Sequence, residues 1–449
     1  MNKLTIIVTY YNAEEYITGC LESIKQQRTQ DFNLIIVNDG STDQSKKLMD
    51  EAIKDYDKNI RFIDLDENSG HAHARNIALE EVETPYFMFL DADDELASYA
   101  ITFYLEKFNN TDGLIAPIHS FTTQRPQFVD LDRVRVEYFN AKENINSFLR
   151  KQSACNIIFR TAIVRAHHIR FNENLNTYVD WSFVLEYMKY VNKFVRIFNF
   201  PFYFRGEVYD PFETLTLSEQ NFDILFKDYV NSFYDAIKRA TNPKVREFIV
   251  TKMGNKIANE FEPTRYDINE RYQTHKDTLV ELSKFLHVHL VKNQKLINKI
   301  ETILLMNNET DKAFKVNQFR KTLRHVKNIV LRRKNKERSL YDLTDKEDNV
   351  KPKTIVFESF GGKNYSDSPK YIYEYMQKYY PNYRYIWSFK NPDKNVVPGS
   401  AEKVKRNSAE YYQAYSEASH WVSNARTPLY LNKKENQTYI QTWHGTPLK

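Results

Sequence analysis

The stretch from Phe87 to Glu95 changes from apolar to acidic within one residue, and it constrains the fold more than any other part of the chain. Its first four residues are apolar, which is typical of a strand buried on both faces. Such a strand cannot carry the carboxylates of Asp91 and Asp93 inward, so they must lie at its carboxyl end. Two carboxylates at i and i+2 can share a divalent cation such as Mg²⁺ or Mn²⁺. The alternative is an acidic turn or helix N-terminus, where Asp and Glu are also common.

Three further apolar segments precede this stretch, and helical patterns separate them. We expect strands at Leu4–Thr9, Asn33–Val37 and Ile60–Asp64, and a helix that begins with Asn12 as its N-cap. The βαβαβαβ alternation predicts an α/β fold with a mostly parallel sheet and helices on both faces.

Polar residues recur where these strands end. Tyr11 follows the first strand, Asp39 follows the second, and Asp91 and Asp93 follow the fourth. Because a doubly wound sheet brings the carboxyl ends of its strands together, we expect these side chains to form one nucleotide site. Taken singly, each of them could be an ordinary turn or cap residue.

Composition limits the class of protein. The 449 residues are enough for two to four domains, and 41% of them are hydrophobic. Cys20 and Cys155 lie far apart and give neither a disulfide framework nor metal-ligand spacing, which is typical of a reducing cytoplasm. No run approaches the ~20 apolar residues of a membrane span, so we expect any membrane contact to be peripheral.

Four motifs together resemble the family 2 glycosyltransferases, which have the GT-A fold. They are Ile7-Val-Thr-Tyr-Tyr-Asn12, Asn38-Asp-Gly-Ser-Thr-Asp43, Gly70 with Ala74-Arg-Asn76, and Asp91-Ala-Asp-Asp94. The resemblance covers roughly residues 1–215. It departs from the family pattern at Thr9, where the family usually has Pro.

The resemblance implies a donor, a cofactor and a set of site residues. The donor is a UDP-linked sugar and the cofactor is Mn²⁺ or Mg²⁺, held by Asp91 and Asp93. The nucleotide is bound by Tyr11, Asp39, Arg75 and Asp91. The segment Tyr178-Val-Asp-Trp-Ser-Phe183 resembles the part of the family that carries the general base, which places Asp180 in that role and Trp181 where it could stack on a sugar. The alternative for Asp180 is a helix N-cap.

The region from 216 to 350 shows helical spacing of apolar residues, and we expect a helical linker. Within it, Lys315–Arg338 combines an apolar face with ten Lys and Arg residues and one acid, Glu337. A basic amphipathic helix suits an anionic membrane surface, and it also suits a polyanionic product or simple solvation. Nucleic acid is not expected as a partner, because the motifs indicate sugar-nucleotide chemistry.

The last hundred residues predict a second α/β unit that ends at Trp443-His-Gly-Thr-Pro-Leu-Lys449. This unit resembles the CDP-glycerol glycerophosphotransferases through Phe357-Glu-Ser-Phe360, Tyr365-Ser-Asp-Ser-Pro369, His420-Trp-Val-Ser-Asn-Ala-Arg426 and the terminal motif. The resemblance implies one Rossmann-like half of a GT-B fold, the half that binds the acceptor, with His444 as catalytic base. It also implies that the nucleotide-binding half of that family has no counterpart in these residues, so no CDP-glycerol turnover is expected from them.

We therefore expect a GT-A domain over 1–215, a helical linker over 216–350 and an acceptor half over 351–449. The expected function is wall teichoic acid synthesis at the cytoplasmic face of the membrane, by inverting, metal-dependent transfer from a UDP-sugar. The acceptor is a teichoic acid or a lipid-linked glycerol phosphate. The alternative is a poly(glycerol phosphate) polymerase that uses CDP-glycerol and whose N-terminal domain is a scaffold or membrane-docking module.

Overall fold

The computed structural model describes most of the chain in two compact units, Met1–Met253 and Gly254–Lys449. The residues described are 2–54, 56, 59–108, 110–121, 130–140, 153–198, 200–206, 222–263, 267–293, 296–345, 349–428 and 430–442. The domain boundaries near residues 215 and 350 stay predictions.

The first four strands form the parallel half of the N-terminal sheet. They are β1 (Leu4–Tyr10), β2 (Phe32–Asn38), β3 (Ile60–Asp64) and β4 (Tyr86–Asp91). They pair in parallel in the order β3-β2-β1-β4, with every residue of β1 buried. The predicted alternation and the predicted α/β class are both confirmed.

The remaining strands of this unit are short, and most of them pair antiparallel. They are β5 (Glu95–Leu96), β6 (Gly113–Ile115), β7 (Ile118–Ser120), β8 (Val136–Asn140), β9 (Ile157–Arg160), β10 (Lys193–Ile197) and β11 (Tyr203–Arg205). Four of them extend the large sheet to eight strands, in the order β3-β2-β1-β4-β9-β6-β10-β8, and the other three form a small sheet, β5-β11-β7.

Helices cover the N-terminal sheet and continue beyond it. They are α1 (Ile17–Lys25), α2 (Ser45–Ile53), α3 (His71–Glu80), α4 (Ala100–Lys107), α5 (Thr161–Ala166), α6 (Asp180–Met188), α7 (Phe222–Arg239) and α8 (Pro243–Glu260). The expected N-cap role of Asn12 was wrong, because α1 begins at Ile17. Asn12 instead has φ +47° and its Oδ1 accepts a hydrogen bond from the Thr42 amide at 2.8 Å, which ties two loops together.

The C-terminal unit begins with helices. They are α9 (Ile268–Thr274), α10 (Lys276–Asn293), α11 (Leu296–Met306), α12 (Thr310–Val330) and α13 (Lys336–Thr344). The basic segment expected as one helix is divided, since Arg332 between α12 and α13 has φ +47°. No helix among the described residues combines the length and apolar character needed to cross a membrane.

A five-stranded parallel sheet completes this unit, in the order β14-β13-β12-β15-β16. Its elements are β12 (Lys351–Glu358), α14 (Asp367–Tyr379), β13 (Arg384–Phe389), β14 (Glu402–Lys405), α15 (Ala409–Glu417), β15 (Ala418–Ser423) and β16 (Thr438–Gln441). The expected second α/β unit is confirmed, with β14 as a strand that the sequence pattern did not predict.

Two glycines beside the N-terminal sheet give a matched test of backbone strain. Gly40 has φ +67°, and an added Cβ would lie 2.4 Å from the carbonyl carbon of Glu67; Gly70 has φ +93° with no atom within 4 Å of that position. We expect Gly70→Ala to lower the free energy of unfolding by about 1–2 kcal/mol through conformation alone. Gly40→Ala should lower it further, because the loop must also move. Urea unfolding of both variants measures the difference, and equal losses would contradict the close approach at Gly40.

Candidate active site in the N-terminal unit

Three parallel strands end at the same level of the sheet. Thr9 of β1 lies beside Asp91 of β4, and Tyr10 lies beside Asn38 of β2. The residues that follow these strands, Tyr11 and Asp39, are therefore brought to the edge where Asp91 lies, as the sequence predicted. At this edge a parallel sheet usually binds its ligand.

A cluster of three carboxylates lies at the end of β4. Ligand oxygens of Asp91, Asp93 and Asp94 all lie within 4.8 Å of one another. Burial and the charge of Asp91 raise the pKa of Asp93 to about 6. Burial and the charges of Asp91 and Asp93 raise the pKa of Asp94 to about 8. A divalent cation would relieve this repulsion, and an all-oxygen donor set suits Mg²⁺ or Mn²⁺, so the residues present fit the expected metal.

Asp94 was not among the predicted metal ligands, although it belongs to the same acidic run. Its carboxylate accepts hydrogen bonds from the Tyr203 hydroxyl and, at 2.9 Å, from the Gly206 amide. An added Cβ at Gly206 would lie 2.1 Å from the Asp93 carbonyl oxygen. Asp94 therefore fixes the backbone after β11 against the acidic turn, in addition to contributing charge.

Arg75 is a fully buried charge of the site, with 1% of its side chain exposed. Its Nη2 donates to Asp91 at 2.7 Å and its Nη1 donates to Asp180 at 2.7 Å. The guanidinium also lies over the rings of Phe89 and Phe171, at 4.9 and 5.3 Å from their centroids. Burial alone would raise the pKa of Asp91, but the charge and the hydrogen bond of Arg75, together with other neighbouring charges and donors, outweigh burial, and the pKa falls to about 2.

Asp180, the predicted general base, is the first residue of α6 and follows the N-cap residue Val179. Besides Arg75, its carboxylate accepts hydrogen bonds from the Ala154 amide at 2.9 Å and the Ser153 hydroxyl at 3.1 Å. A carboxylate offers about four acceptor positions, so about one remains for a substrate hydroxyl. Ser153 and Ala154 lie far from Asp180 in sequence, and no sequence pattern indicated this contact.

Asp39, a predicted nucleotide ligand, is 3% exposed and joins two loops. One carboxylate oxygen accepts from the Ser69 amide at 2.8 Å and the other accepts from the Gly70 amide at 3.0 Å. Gly70 is the N-cap residue of α3, the helix that carries Arg75. Asp39 therefore sets the entry to α3 and retains acceptor positions for a base N–H. Tyr11 is 43% exposed at the same edge.

The C-terminal unit has its own strand-end cluster. Glu358, at the end of β12, accepts a hydrogen bond from the Ser388 hydroxyl at 2.7 Å and lies 3.5 Å from the Arg406 guanidinium. Asn424, after β15, accepts from the Phe360 amide at 2.7 Å. The predicted base His444 lies outside the described residues, which reach Thr442 in this region.

Two protein families match separate parts of the chain. The model of glycosyl transferase family 2 matches residues 5–169. The model of the CDP-glycerol:poly(glycerophosphate) glycerophosphotransferase family matches residues 340–449. The first match contains Asp39, Arg75 and the acidic cluster, and the second contains the five-stranded sheet.

Known proteins match the same two parts. The teichoic acid poly(glycerol phosphate) polymerase of Bacillus subtilis is 44% identical over 105 residues, which are 22% of this chain and 14% of that protein. The chain thus covers well under two thirds of that polymerase. A solved wall teichoic acid polymerase TagF, an H444N variant, is 99% identical over 30% of this chain and 32% of its own chain, with a TM-score of 0.29.

The N-terminal fold also has a solved counterpart. The S. aureus TarS 1–349 structure in complex with UDP-GlcNAc covers 70% of this chain and 90% of its own, with a TM-score of 0.54 and 18% identity. This likeness shows the fold. The chain therefore carries a family 2 glycosyltransferase domain over residues 5–169 and a CDP-glycerol:poly(glycerophosphate) glycerophosphotransferase domain over residues 340–449.

Proposed function

We propose that the N-terminal unit is an inverting, metal-dependent glycosyltransferase of wall teichoic acid synthesis that uses a UDP-linked sugar. The observation that carries the proposal is the acidic cluster at the ends of the parallel strands, joined through buried Arg75 to Asp180. This arrangement supplies a cation site at the edge of the sheet and a fixed carboxylate, Asp180, joined to it through Arg75. The TarS structure solved with UDP-GlcNAc makes that sugar nucleotide the first donor to test.

Each residue then has a role in the transfer. Asp91 and Asp93 would hold Mn²⁺ or Mg²⁺, which when bound neutralises the departing diphosphate. Tyr11 and Asp39 bind the base. Asp180 takes the proton of the acceptor hydroxyl as that oxygen attacks the anomeric carbon. Arg75, although expected to bind the nucleotide, acts in this proposal by orienting Asp91 and Asp180.

A second candidate function lies in residues 340–449, which match the model of the CDP-glycerol:poly(glycerophosphate) glycerophosphotransferase family. We propose that this segment binds a glycerol phosphate acceptor and that His444 activates its hydroxyl toward CDP-glycerol. In that case the N-terminal unit serves as a scaffold or docking module. The two candidates differ in whether the N-terminal unit binds a nucleotide.

Nucleotide binding tests the first candidate directly. We expect UDP to bind the chain in the presence of Mn²⁺, and Asp93→Asn to weaken that binding at least about tenfold, because the variant loses one anionic ligand of the cation. Calorimetric titration measures both affinities. Asp31→Asn, an equal charge change at an exposed site of the same unit, is the control and should bind as the wild type does. UDP affinity that is absent, or unaffected by Asp93→Asn, would favour the scaffold alternative.

Turnover tests the role of Asp180. We expect Asp180→Asn to leave UDP affinity within about twofold and to lower the rate of UDP release from the donor by about 10²–10⁴, the contribution of a general base. Ser153→Ala is the matched variant, since it removes one hydrogen bond and keeps the carboxylate. It should lower the rate far less. Equal rates for Asp180→Asn and wild type would exclude the base assignment.

Helix α12 supports a peripheral position at an anionic membrane. Its buried residues include Asn317 and His325, whereas four of its larger apolar residues are exposed. The exposed fractions are 56% for Phe319, 46% for Leu323, 44% for Val326 and 71% for Val330. This is the reverse of the pattern of a helix that packs on a core. We propose that this face, with the basic residues around it, docks on the cytoplasmic surface of the membrane.

Vesicle binding tests the docking face. The double variant Phe319→Ser with Leu323→Ser should weaken binding to anionic vesicles about thirtyfold, because two half-exposed apolar side chains contribute roughly 1 kcal/mol each. Salt should weaken the binding of both proteins. Val396→Ser, at a side chain that is 86% exposed elsewhere in the unit, is the control. Unchanged vesicle binding in the double variant would remove this face from the proposal.

A further inference from the structure

An aromatic cluster with one lysine lies immediately beside Asp180. The Tyr178 and Tyr229 rings meet edge to face at 5.0 Å, and the Trp181 and Tyr229 rings lie 5.7 Å apart. The Lys252 ammonium lies 4.5 Å from the centroid of the Trp181 ring. Two of these residues flank the proposed base in sequence, the other two come from α7 and α8, and all four lie outside residues 5–169, which match the family 2 model.

Tyr178 is held in a conformation that a tyrosine rarely adopts. Its φ is +57°, and its carbonyl accepts a hydrogen bond from the Ser232 hydroxyl at 2.9 Å. The preceding residue, Thr177, donates from its amide and its hydroxyl to Asp228, at 3.2 and 3.0 Å. Asp228 and Ser232 are both buried in α7. Two buried side chains thus maintain a strained backbone that leaves the Tyr178 ring 37% exposed next to Asp180.

Lys252 carries a charge that the described part of the protein does not neutralise. No carboxylate among the described residues lies within ion-pair distance of it. Burial lowers the pKa of Lys252, and no neighbouring charge opposes this effect. A half-buried ammonium over an indole ring would gain from an anion that approaches its open side.

We infer that Tyr178, Trp181, Tyr229 and Lys252 form the acceptor subsite, which takes a polyol or sugar carrying a phosphate group. Lys252 covers one face of Trp181, so Tyr178 offers the exposed ring for the carbon skeleton of the acceptor. Lys252 binds the phosphate, and the adjacent Asp180 faces a hydroxyl. This inference rests on the proposed transferase function and adds the chemical class of the acceptor to it.

Binding of small probes to the full chain tests the subsite. Glycerol 3-phosphate and inorganic phosphate are titrated calorimetrically into the wild type, Lys252→Gln and Lys244→Gln. Lys244 is exposed on the same helix, so its variant controls for charge alone. We expect Lys252→Gln to weaken both probes about fivefold to tenfold, as the loss of a charged hydrogen bond would. Equal affinity in the wild type and Lys252→Gln, for these probes and also for the vesicles described below, would overturn the inference, as would the absence of wild-type binding to any of them.

A second variant separates the aromatic contact from the charge. Tyr178→Gly removes the ring and accepts the positive φ without strain. It should weaken glycerol 3-phosphate and leave inorganic phosphate unchanged; equal losses for the two probes would contradict the stacking role. Phosphatidylglycerol vesicles, titrated in parallel, distinguish a lipid-borne phosphate from a free one. Weaker binding by Lys252→Gln than by the wild type in either assay supports the subsite and shows whether the phosphate is free or lipid-borne. Unchanged binding in both assays overturns the inference.

UDP binding keeps this inference separate from the proposed function. Lys252 and Tyr178 do not belong to the donor side, so their variants should bind UDP with Mn²⁺ as the wild type does. If UDP binds and the affinity for the phosphate probes is the same in Lys252→Gln as in the wild type, the inference fails and the transferase proposal stands. If UDP does not bind and the probes still depend on Lys252, the transferase proposal fails and the anion site stands.

Discussion

The N-terminal site depends on one buried guanidinium. Arg75 pairs with Asp91 at the end of β4 and with Asp180 at the start of α6, so one side chain fixes a candidate cation ligand and a candidate base. Removing a partner from such a buried pair costs about 3–5 kcal/mol, because an uncompensated charge stays behind. The flanking rings of Phe89 and Phe171 exclude water and strengthen the pairing. The relative position of the two carboxylates is therefore set before any ligand arrives.

The parallel half of the sheet could be predicted from sequence because each of its strands is a continuous apolar run. Strands β1, β2 and β4 are almost wholly buried, and that burial appears directly in their composition. The antiparallel strands are as short as two residues, as in β5, and their pairing depends on partners distant in sequence. The sequence around Asn12 resembles a helix N-cap, but its side chain instead connects two loops. A local sequence pattern alone therefore gave a wrong prediction.

The positions of the residues that directly follow a strand could be predicted from the sequence. The contacts between segments distant in sequence could not. Asp91 and Asp93 stand out because no apolar strand can bury them. Arg75 was expected to bind a nucleotide. The sequence does not show that its side chain is buried against two carboxylates. Tyr203 reaches Asp94 across 109 residues, and no pattern along the chain encodes that hydrogen bond.

In the C-terminal unit, helix α12 buries polar side chains and exposes large apolar ones. Helix α12 buries Asn317, whose amide donates to Glu301 at 3.1 Å, so the cost of burying that polar group is offset. It also buries His325, and burial together with the charge of Lys321 lowers the pKa of that ring to about 4. The ring thus stays neutral near pH 7 and occupies a core position, while Phe319 and Val330 face outward. Water alone would favour the reverse arrangement, and the membrane docking proposed above would remove this apolar face from water.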